Sequence, residues 1–209
     1  MQNLTIVTVT CHPKGGLLKA WRRGVKRWFP DAKVIAQHPP EGQFGGSNQH
    51  GHGINEALKR VKTDHILLLD TDCILLDGSW FSPSIEVLGA RKGNLEAMHM
   101  AFLCGRTEIL NQYDFTVIGT KKMSYAPEED VGTKLGLLND DLVFTGKCKM
   151  FDPTTQCEEI YYQDRLIATH FGRGSSLRSK VQKTRRPIGP QFKIWMRVVD
   201  EYNKEARDD

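Results

Sequence analysis

The sequence lacks the features that mark several common classes of protein. No apolar run reaches the roughly 18 to 20 residues that a membrane-spanning helix needs, and no basic leader precedes an apolar segment at the N-terminus. The 5 cysteines are scattered and form no C-x-x-C pair, so neither a disulfide framework nor a structural zinc site is indicated. No internal repeat or interdomain linker is visible. We therefore expect a soluble, cytoplasmic protein with reduced thiols.

Acidic residues are also missing from one long segment, residues 171–199. This segment is rich in arginine and lysine, whereas the whole chain has a formal net charge of only +4, so the basic charge is local. Such a block is either solvated or binds an anion, and the candidate anions are a ligand diphosphate, a nucleic-acid backbone and a membrane surface.

The composition is that of a globular protein, with 209 residues, 39% hydrophobic and 26% charged. This length allows one substantial core. We expect one domain at residues 1–190, and a C-terminal helix or tail at residues 191–209 that packs on it or extends from it.

Strands and helices alternate in the first part of the chain. The pattern predicts strands at 4–10, 33–36 and from 65 onward, and helices at 18–28 and 47–61. This order is typical of a parallel α/β sheet, which binds ligands beyond the carboxyl ends of its strands. The first helix has an apolar side and a basic side, the latter formed by Lys19, Arg22, Arg23, Lys26 and Arg27.

Beyond residue 80 the periodicity is weaker. It predicts a strand at 95–103, a helix from about Arg106, a helix at 127–138, short strands near 142–144, 148–151, 160–162 and 166–171, and a final helix from Pro190.

Two aspartates, Asp70 and Asp72, interrupt the apolar run HILLLDTDCILL at the end of the third predicted strand. Two carboxylates after a buried strand need positive compensation, and a divalent metal with phosphate oxygens supplies it. One aspartate can ligate the ion while the other holds a water, a ribose hydroxyl or the sugar. The alternative is a simple turn after a core strand. The strand position favours a functional site.

The segment HGINEALKRVKTDHILLLDTDCILL, residues 52–76, resembles the core of family-two and related GT-A glycosyltransferases. The likeness extends from Leu4 to about Arg173. It implies a single Rossmann-like GT-A domain with a mostly parallel central sheet and a basic C-terminal tail. It also implies a nucleotide-sugar donor, with a UDP-sugar favoured, and a manganese or magnesium ion.

The resemblance assigns roles to residues outside the acidic motif. Thr8, Thr10 and His12 take the positions that contact the nucleotide base. Gln37 and His38 occupy the place where these enzymes usually have an acidic residue.

A late histidine, His170, corresponds to a third metal ligand in such enzymes, and an imidazole suits manganese beside carboxylates. The alternative is a core or surface histidine. After it come Gly172, Arg173, Gly174 and Ser175, which can wrap the diphosphate with backbone amides and a guanidinium.

The segment PEEDVG, residues 127–132, is similar to the acidic motif that supplies the base in inverting GT-A enzymes. The resemblance assigns that role to Asp130, with Glu129 as second choice, which would remove a proton from the acceptor hydroxyl. The alternative is an acidic first turn that stabilises the helix dipole, which would leave a retaining reaction open.

Two further groups of residues allow more than one interpretation. His50 and His52 have no third ligand nearby in the sequence, so a glycine-flanked helix entry beside the nucleotide is favoured over a metal site. Trp80 and residues 98–106 are either part of the acceptor side or core.

The acceptor is left open. The basic helix face and basic tail suit a polyanion, and phage enzymes that glycosylate hydroxymethylated pyrimidines in double-stranded DNA are similarly small and basic, which would place the protein in the host cytoplasm. The alternatives are a glycan or small-molecule acceptor, a nucleotidyltransferase, and a non-catalytic nucleotide- or DNA-binding relative.

Overall fold

The computed structural model describes residues 3–9, 16–38, 46–91, 98–116, 143–152 and 157–171, together with the single positions Arg197 and Asp200. Within this part of the chain nine strands and three helices are present. The strands are β1 (Leu4–Val9), β2 (Lys33–Gln37), β3 (His65–Leu69), β4 (Cys73–Leu75), β5 (Val87–Arg91), β6 (Met98–Arg106), β7 (Val143–Asp152), β8 (Cys157–Tyr162) and β9 (Arg165–Phe171). The helices are α1 (Gly16–Trp28), α2 (Gly46–Leu58) and α3 (Thr107–Leu110).

The nine strands form one sheet in the order β2-β1-β3-β6-β5-β7-β8-β9-β4. Pairing is parallel between β1 and its neighbours β2 and β3, and between β5 and β7. The other neighbouring pairs are antiparallel. The predicted α/β fold class is confirmed, with its parallel part where strand and helix alternate in the sequence.

Apolar side chains on the two faces of the sheet form two clusters. α1 buries Trp21 and Val25 in the first cluster, which also contains residues of β1, β3, β4, β6, β8 and β9. α2 buries Ile54, Ala57 and Leu58 in the second. The two helices therefore cover opposite faces of the parallel strands, as the alternation of strand and helix requires.

Close packing holds α1 against β4. A Cβ atom added at Gly24 would lie 2.7 Å from the carbonyl oxygen of Leu75, so only glycine allows this approach. The basic side chains predicted on the opposite face of α1 are all exposed.

Several elements differ from the sequence-based expectations. The strand from residue 65 ends before the two aspartates as expected, but the short strand β4 that follows them was not predicted. The helix predicted from Arg106 is α3, which lasts only four residues, and α2 ends at Leu58 rather than at 61. β5 was not predicted. The predicted helix at 127–138 lies outside the described residues, and in the final predicted helix only Arg197 and Asp200 are described, both helical.

Cys73 and Cys104 are buried thiols. Burial raises the pKa of the Cys104 thiol, which keeps it protonated and unreactive. None of the described helices is long and apolar enough to cross a membrane.

Candidate metal centre

The acidic turn at residues 70–72 joins two strands that lie far apart in the order of the sheet. β3 lies between β1 and β6, whereas β4 is the last strand in the order and pairs with β9. The Asp70 N–H donates to the Ala101 carbonyl oxygen at 3.1 Å, and the Cys73 N–H donates to the Asp70 carbonyl oxygen at 2.9 Å. These bonds tie the turn to β6 and close it on itself, so both carboxylates are carried by a fixed backbone.

Strand pairing brings His170 to this turn. In the antiparallel ladder between β4 and β9, His170 is the partner of Cys73, the residue that follows Asp72. One ligand atom from each of Asp70, Asp72 and His170 lies within 4.8 Å of the others. The three metal ligands expected from the sequence therefore lie together, although they come from distant parts of the chain.

The cluster is largely removed from solvent. The exposed fractions of the side chains are 9% for Asp72, 12% for His170 and 24% for Asp70. His170 Nε2 lies 3.6 Å from Asp72 Oδ1. Carboxylates buried this deeply need a positive partner, because water no longer solvates their charge.

The pKa of His170 reflects the negative charges around it. Burial lowers this pKa, but the hydrogen bond to Glu158 and the negative charges of Asp72, Glu158 and Asp70 together raise it above its ordinary value of 6.5. The Glu158 carboxylate was missed in the sequence, where nothing marks it apart from Glu159. Its Oε2 lies 2.8 Å from His170 Nδ1.

His50, on α2, is a second residue whose place was not foreseen. It was expected at a helix entry beside the nucleotide rather than at a metal site, and its Nε2 lies 3.1 Å from Asp70 Oδ1. Two glycines that follow His50 on α2 allow close packing of this helix. A Cβ atom at Gly51 would overlap the carbonyl oxygen of Phe115, and one at Gly53 would lie 2.7 Å from Val9 Cγ1. The glycine pattern was the available signal, since it indicates close packing of this helix.

Asn55 fastens α2 to the segment that follows α3. Its side-chain amide donates to Asp114 Oδ1 at 2.7 Å, and its oxygen accepts the Phe115 N–H at 3.0 Å. Asp114 in turn accepts the N–H and the hydroxyl of Thr116. These bonds hold the helix that carries His50 in place relative to the sheet.

The residues present fit a divalent cation. Ligand atoms that bind one ion at about 2.1 Å each can be at most about 4.2 Å apart, so the observed spread within 4.8 Å requires only a small inward movement. Two carboxylates and one imidazole suit manganese and other ions that accept both oxygen and nitrogen ligands. Asp70, Asp72 and His170 would hold the ion.

The raised pKa of His170 predicts a pH-dependent metal affinity. The imidazole must be neutral to bind a metal ion, so protons compete with the ion for the ring nitrogen. We expect Mn²⁺ affinity to fall as the pH decreases through the raised pKa, which lies above 6.5. In the metal-free protein the sign is opposite: protonated His170 stabilises the fold fully below pH 6.5, and this contribution disappears as the pH rises through the folded-state pKa.

Calorimetric Mn²⁺ titrations and denaturant unfolding of the metal-free protein, each over a pH series, measure these two effects. A His170→Gln variant is the control and should remove both dependences. If the Mn²⁺ affinity of the original protein did not change with pH, the assignment of His170 as a metal ligand would be contradicted.

Of the other predicted site residues, some are described by the structure and the rest lie outside the described part of the chain. Thr8, on β1, is buried, and its hydroxyl has no hydrogen-bond partner among the described residues. Trp80 belongs to the core: it is buried against Phe29 and Phe102, and its indole N–H donates to the Asp77 carbonyl oxygen at 2.7 Å. The remaining predicted residues lie outside the described part of the chain: Thr10, His12, Glu129, Asp130, Gly172, Arg173, Gly174 and Ser175.

Comparisons with known proteins give fold likenesses at low identity. No protein-family model and no curated protein matches the sequence. Among solved structures, one similar chain is a glycosyltransferase involved in glycosylation of the major capsid of PBCV-1, with a TM-score of 0.39 and 12% identity over 52% of this chain and 62% of that one. Another is the bifunctional IspDF from Campylobacter jejuni, with a TM-score of 0.42 and 7% identity over 70% of this chain and 50% of that one.

A third is a Drosophila galactosyltransferase 7 mutant in complex with manganese, UDP-Gal and xylobiose, with a TM-score of 0.32 and 12% identity over 87% of this chain and 97% of that one. The chain spans less than two thirds of the length of the first two proteins. All three TM-scores are below 0.5, so these likenesses establish neither a family nor an activity for this chain.

Proposed function

We propose that this protein is a metal-dependent glycosyltransferase of the GT-A type that moves a sugar from a nucleotide-sugar to a hydroxyl group. The observation that carries the proposal is the buried cluster of Asp70, Asp72 and His170 beyond the carboxyl end of the parallel strand β3. This is where α/β sheets bind nucleotide ligands. The resemblance of residues 52–76 to GT-A enzymes supports the same assignment.

In this proposal the ion, when bound, supplies positive charge to the departing diphosphate of the donor. Asp70, Asp72 and His170 hold it there. Arg173 and Ser175 bind the diphosphate, and Thr8, Thr10 and His12 contact the base. The assignments to the base rest on the sequence resemblance, and those to the diphosphate rest on the match between a guanidinium or backbone amides and phosphate oxygens.

Transfer with inversion needs a base beside the acceptor hydroxyl. Asp130, with Glu129 as second choice, takes the proton from the acceptor hydroxyl. As it does so, the hydroxyl oxygen bonds to the anomeric carbon of the sugar, and the bond between that carbon and the diphosphate breaks. The donor is expected to be a UDP-sugar, bound with manganese or magnesium. The catalytic domain would comprise residues 1–190, followed by a tail at 191–209, and the protein would act in the cytoplasm.

A panel of nucleotide-sugars incubated with Mn²⁺ tests the reaction. We expect release of the nucleoside diphosphate from one donor, dependent on the metal and suppressed by chelation. Release of pyrophosphate from a nucleoside triphosphate would instead indicate a nucleotidyltransferase. If the protein bound the nucleotide but showed no turnover with any acceptor, it would be a non-catalytic relative of these enzymes.

For the acceptor we propose hydroxymethylated pyrimidines in duplex DNA. The support is the exposed basic face of α1, where Arg27 also lies 5.2 Å from the centre of the Trp28 ring. Phosphates bind such a face electrostatically, and the affinity falls with salt.

The same panel is run with duplex DNA containing hydroxymethylcytosine or hydroxymethyluracil. We expect DNA to stimulate release, and the double variant Arg22→Glu with Lys26→Glu to abolish that stimulation while the reaction without DNA persists. Lys59→Glu with Lys62→Glu, which makes the same charge change at exposed positions elsewhere, is the matched control. Release that is indifferent to DNA would direct the search to glycans or small molecules.

A further inference from the structure

The hydrogen bond between Glu158 and His170 distinguishes the two ring nitrogens of the histidine. Nδ1 lies 2.8 Å from Glu158 Oε2, and Nε2 lies on the side of Asp72. A neutral imidazole carries one proton, and a carboxylate accepts but cannot donate. Both nitrogens face a carboxylate, but only Glu158 is within hydrogen-bonding distance, at 2.8 Å against 3.6 Å for Asp72. The proton of the neutral ring therefore belongs on Nδ1, which directs the lone pair of Nε2 at the cluster.

Strand geometry makes this contact specific. Glu158 and His170 are direct partners in the antiparallel ladder of β8 and β9, so their side chains lie on the same face of the sheet. Thr169 reinforces the pairing, since its hydroxyl donates to the Glu158 carbonyl oxygen at 3.2 Å. Glu158 has an exposed side-chain fraction of only 13%, and a buried hydrogen bond to a carboxylate is stronger than a neutral one.

Glu159 shows what the neighbouring position does. Successive side chains of a strand point to opposite faces, and Glu159 Oε2 accepts the Tyr161 hydroxyl at 2.6 Å, away from His170. Two adjacent glutamates on one strand thus have separate environments. Of the two, only Glu158 contacts His170.

We propose that Glu158 is a positioning residue that holds His170 in the Nδ1–H tautomer, with Nε2 aimed at the metal site. Its value to metal binding rests on the proposed function, whereas the tautomer is a property of the protein without metal. Histidine ligands commonly donate their second N–H to a carboxylate, and loss of that partner typically costs 10- to 100-fold, roughly, in metal affinity. Glu158 also places a third carboxylate near His170, in addition to Asp70 and Asp72.

The experiment compares Glu158→Ala and Glu158→Gln with Glu159→Gln. Nitrogen NMR of histidine-labelled, metal-free protein, at a pH where the ring is neutral, measures the tautomer of His170, with His170→Gln to assign the signal. Calorimetry with MnCl₂ measures affinity. We expect Glu158→Ala to lose the preference for Nδ1–H and to bind Mn²⁺ about 10- to 100-fold more weakly. Glu158→Gln, whose amide oxygen still accepts, should keep the tautomer and much of the affinity. Glu159→Gln should match the original protein.

Each deviation has a defined meaning. An unchanged His170 tautomer in Glu158→Ala would overturn the positioning role. Equal losses of affinity in Glu158→Gln and Glu158→Ala would also overturn it, because that result would mean that the negative charge of Glu158, and not its hydrogen bond to His170, supports metal binding. If the original protein bound no Mn²⁺ while Glu158→Ala still changed the tautomer, the positioning of His170 would stand and the proposed metal-dependent function would fail.

Discussion

Asp72→Asn is expected to abolish metal-dependent transfer while leaving the protein folded. The asparagine has the same shape but loses the charge of the least exposed carboxylate in the cluster. Metal stabilisation of a leaving group is worth several kcal/mol, so we expect a loss of about 1,000-fold or more in turnover. The fold should persist, because removing one of two neighbouring carboxylates also relieves their repulsion.

Thermal unfolding with and without MnCl₂ separates this effect from misfolding. In the original protein, Mn²⁺ at about 100 times its Kd should add about 2.7 kcal/mol to the free energy of unfolding. Asp72→Asn should show no such gain. Asp77→Asn is the matched control: Asp77 accepts the Ser79 N–H and pairs with Arg165 at 2.6 Å, outside the cluster, so its variant should retain both the gain and the activity. Full activity in Asp72→Asn would refute the metal site.

Phe102→Ala is expected to cause the largest loss of stability. Phe102 is completely buried, and its ring meets the Trp80 ring edge-on at 5.3 Å between centres. It is also the β6 partner of Leu69, the residue before Asp70. Truncation of a buried phenylalanine costs about 3–5 kcal/mol, because the surrounding core closes the cavity only in part. Out of a total stability of about 5–15 kcal/mol, this leaves the domain marginal.

Denaturant unfolding followed by tryptophan fluorescence measures the loss, with Val34→Ala as control. Val34 is 45% exposed on β2, so its truncation should cost less than about 1 kcal/mol. Equal effects of the two substitutions would mean that Phe102 is not in the core as described.

The first half of the fold could be predicted from local pattern because its elements carry their own signals. β1, β2 and β3 are short β-branched or apolar runs, and α1 separates apolar from basic residues with helical spacing. β5 could not be predicted in this way. Its sequence VLGAR contains a glycine and an arginine, and it is a strand because β6 and β7 pair with it on both sides.

The candidate site divides in the same manner. Asp70 and Asp72 are recognisable because two charges after a buried strand conflict with burial, which marks a position under functional constraint. His50 and Glu158 gave no such signal. Each depends on a partner from a distant segment: His50 on the approach of α2, and Glu158 on its register with β9.

The sequence alone determined the α/β class, the amphipathic character of α1 and the position of the acidic turn, since each depends on the order of neighbouring residues and on strand and helix periodicity. Only the tertiary structure decided that β4 leaves β3 to pair with β9, which brings His170 to the turn, and that His50 and Glu158 lie beside it. The physical reason is that hydrogen bonds between strands and close packing at glycines join residues that no local pattern connects.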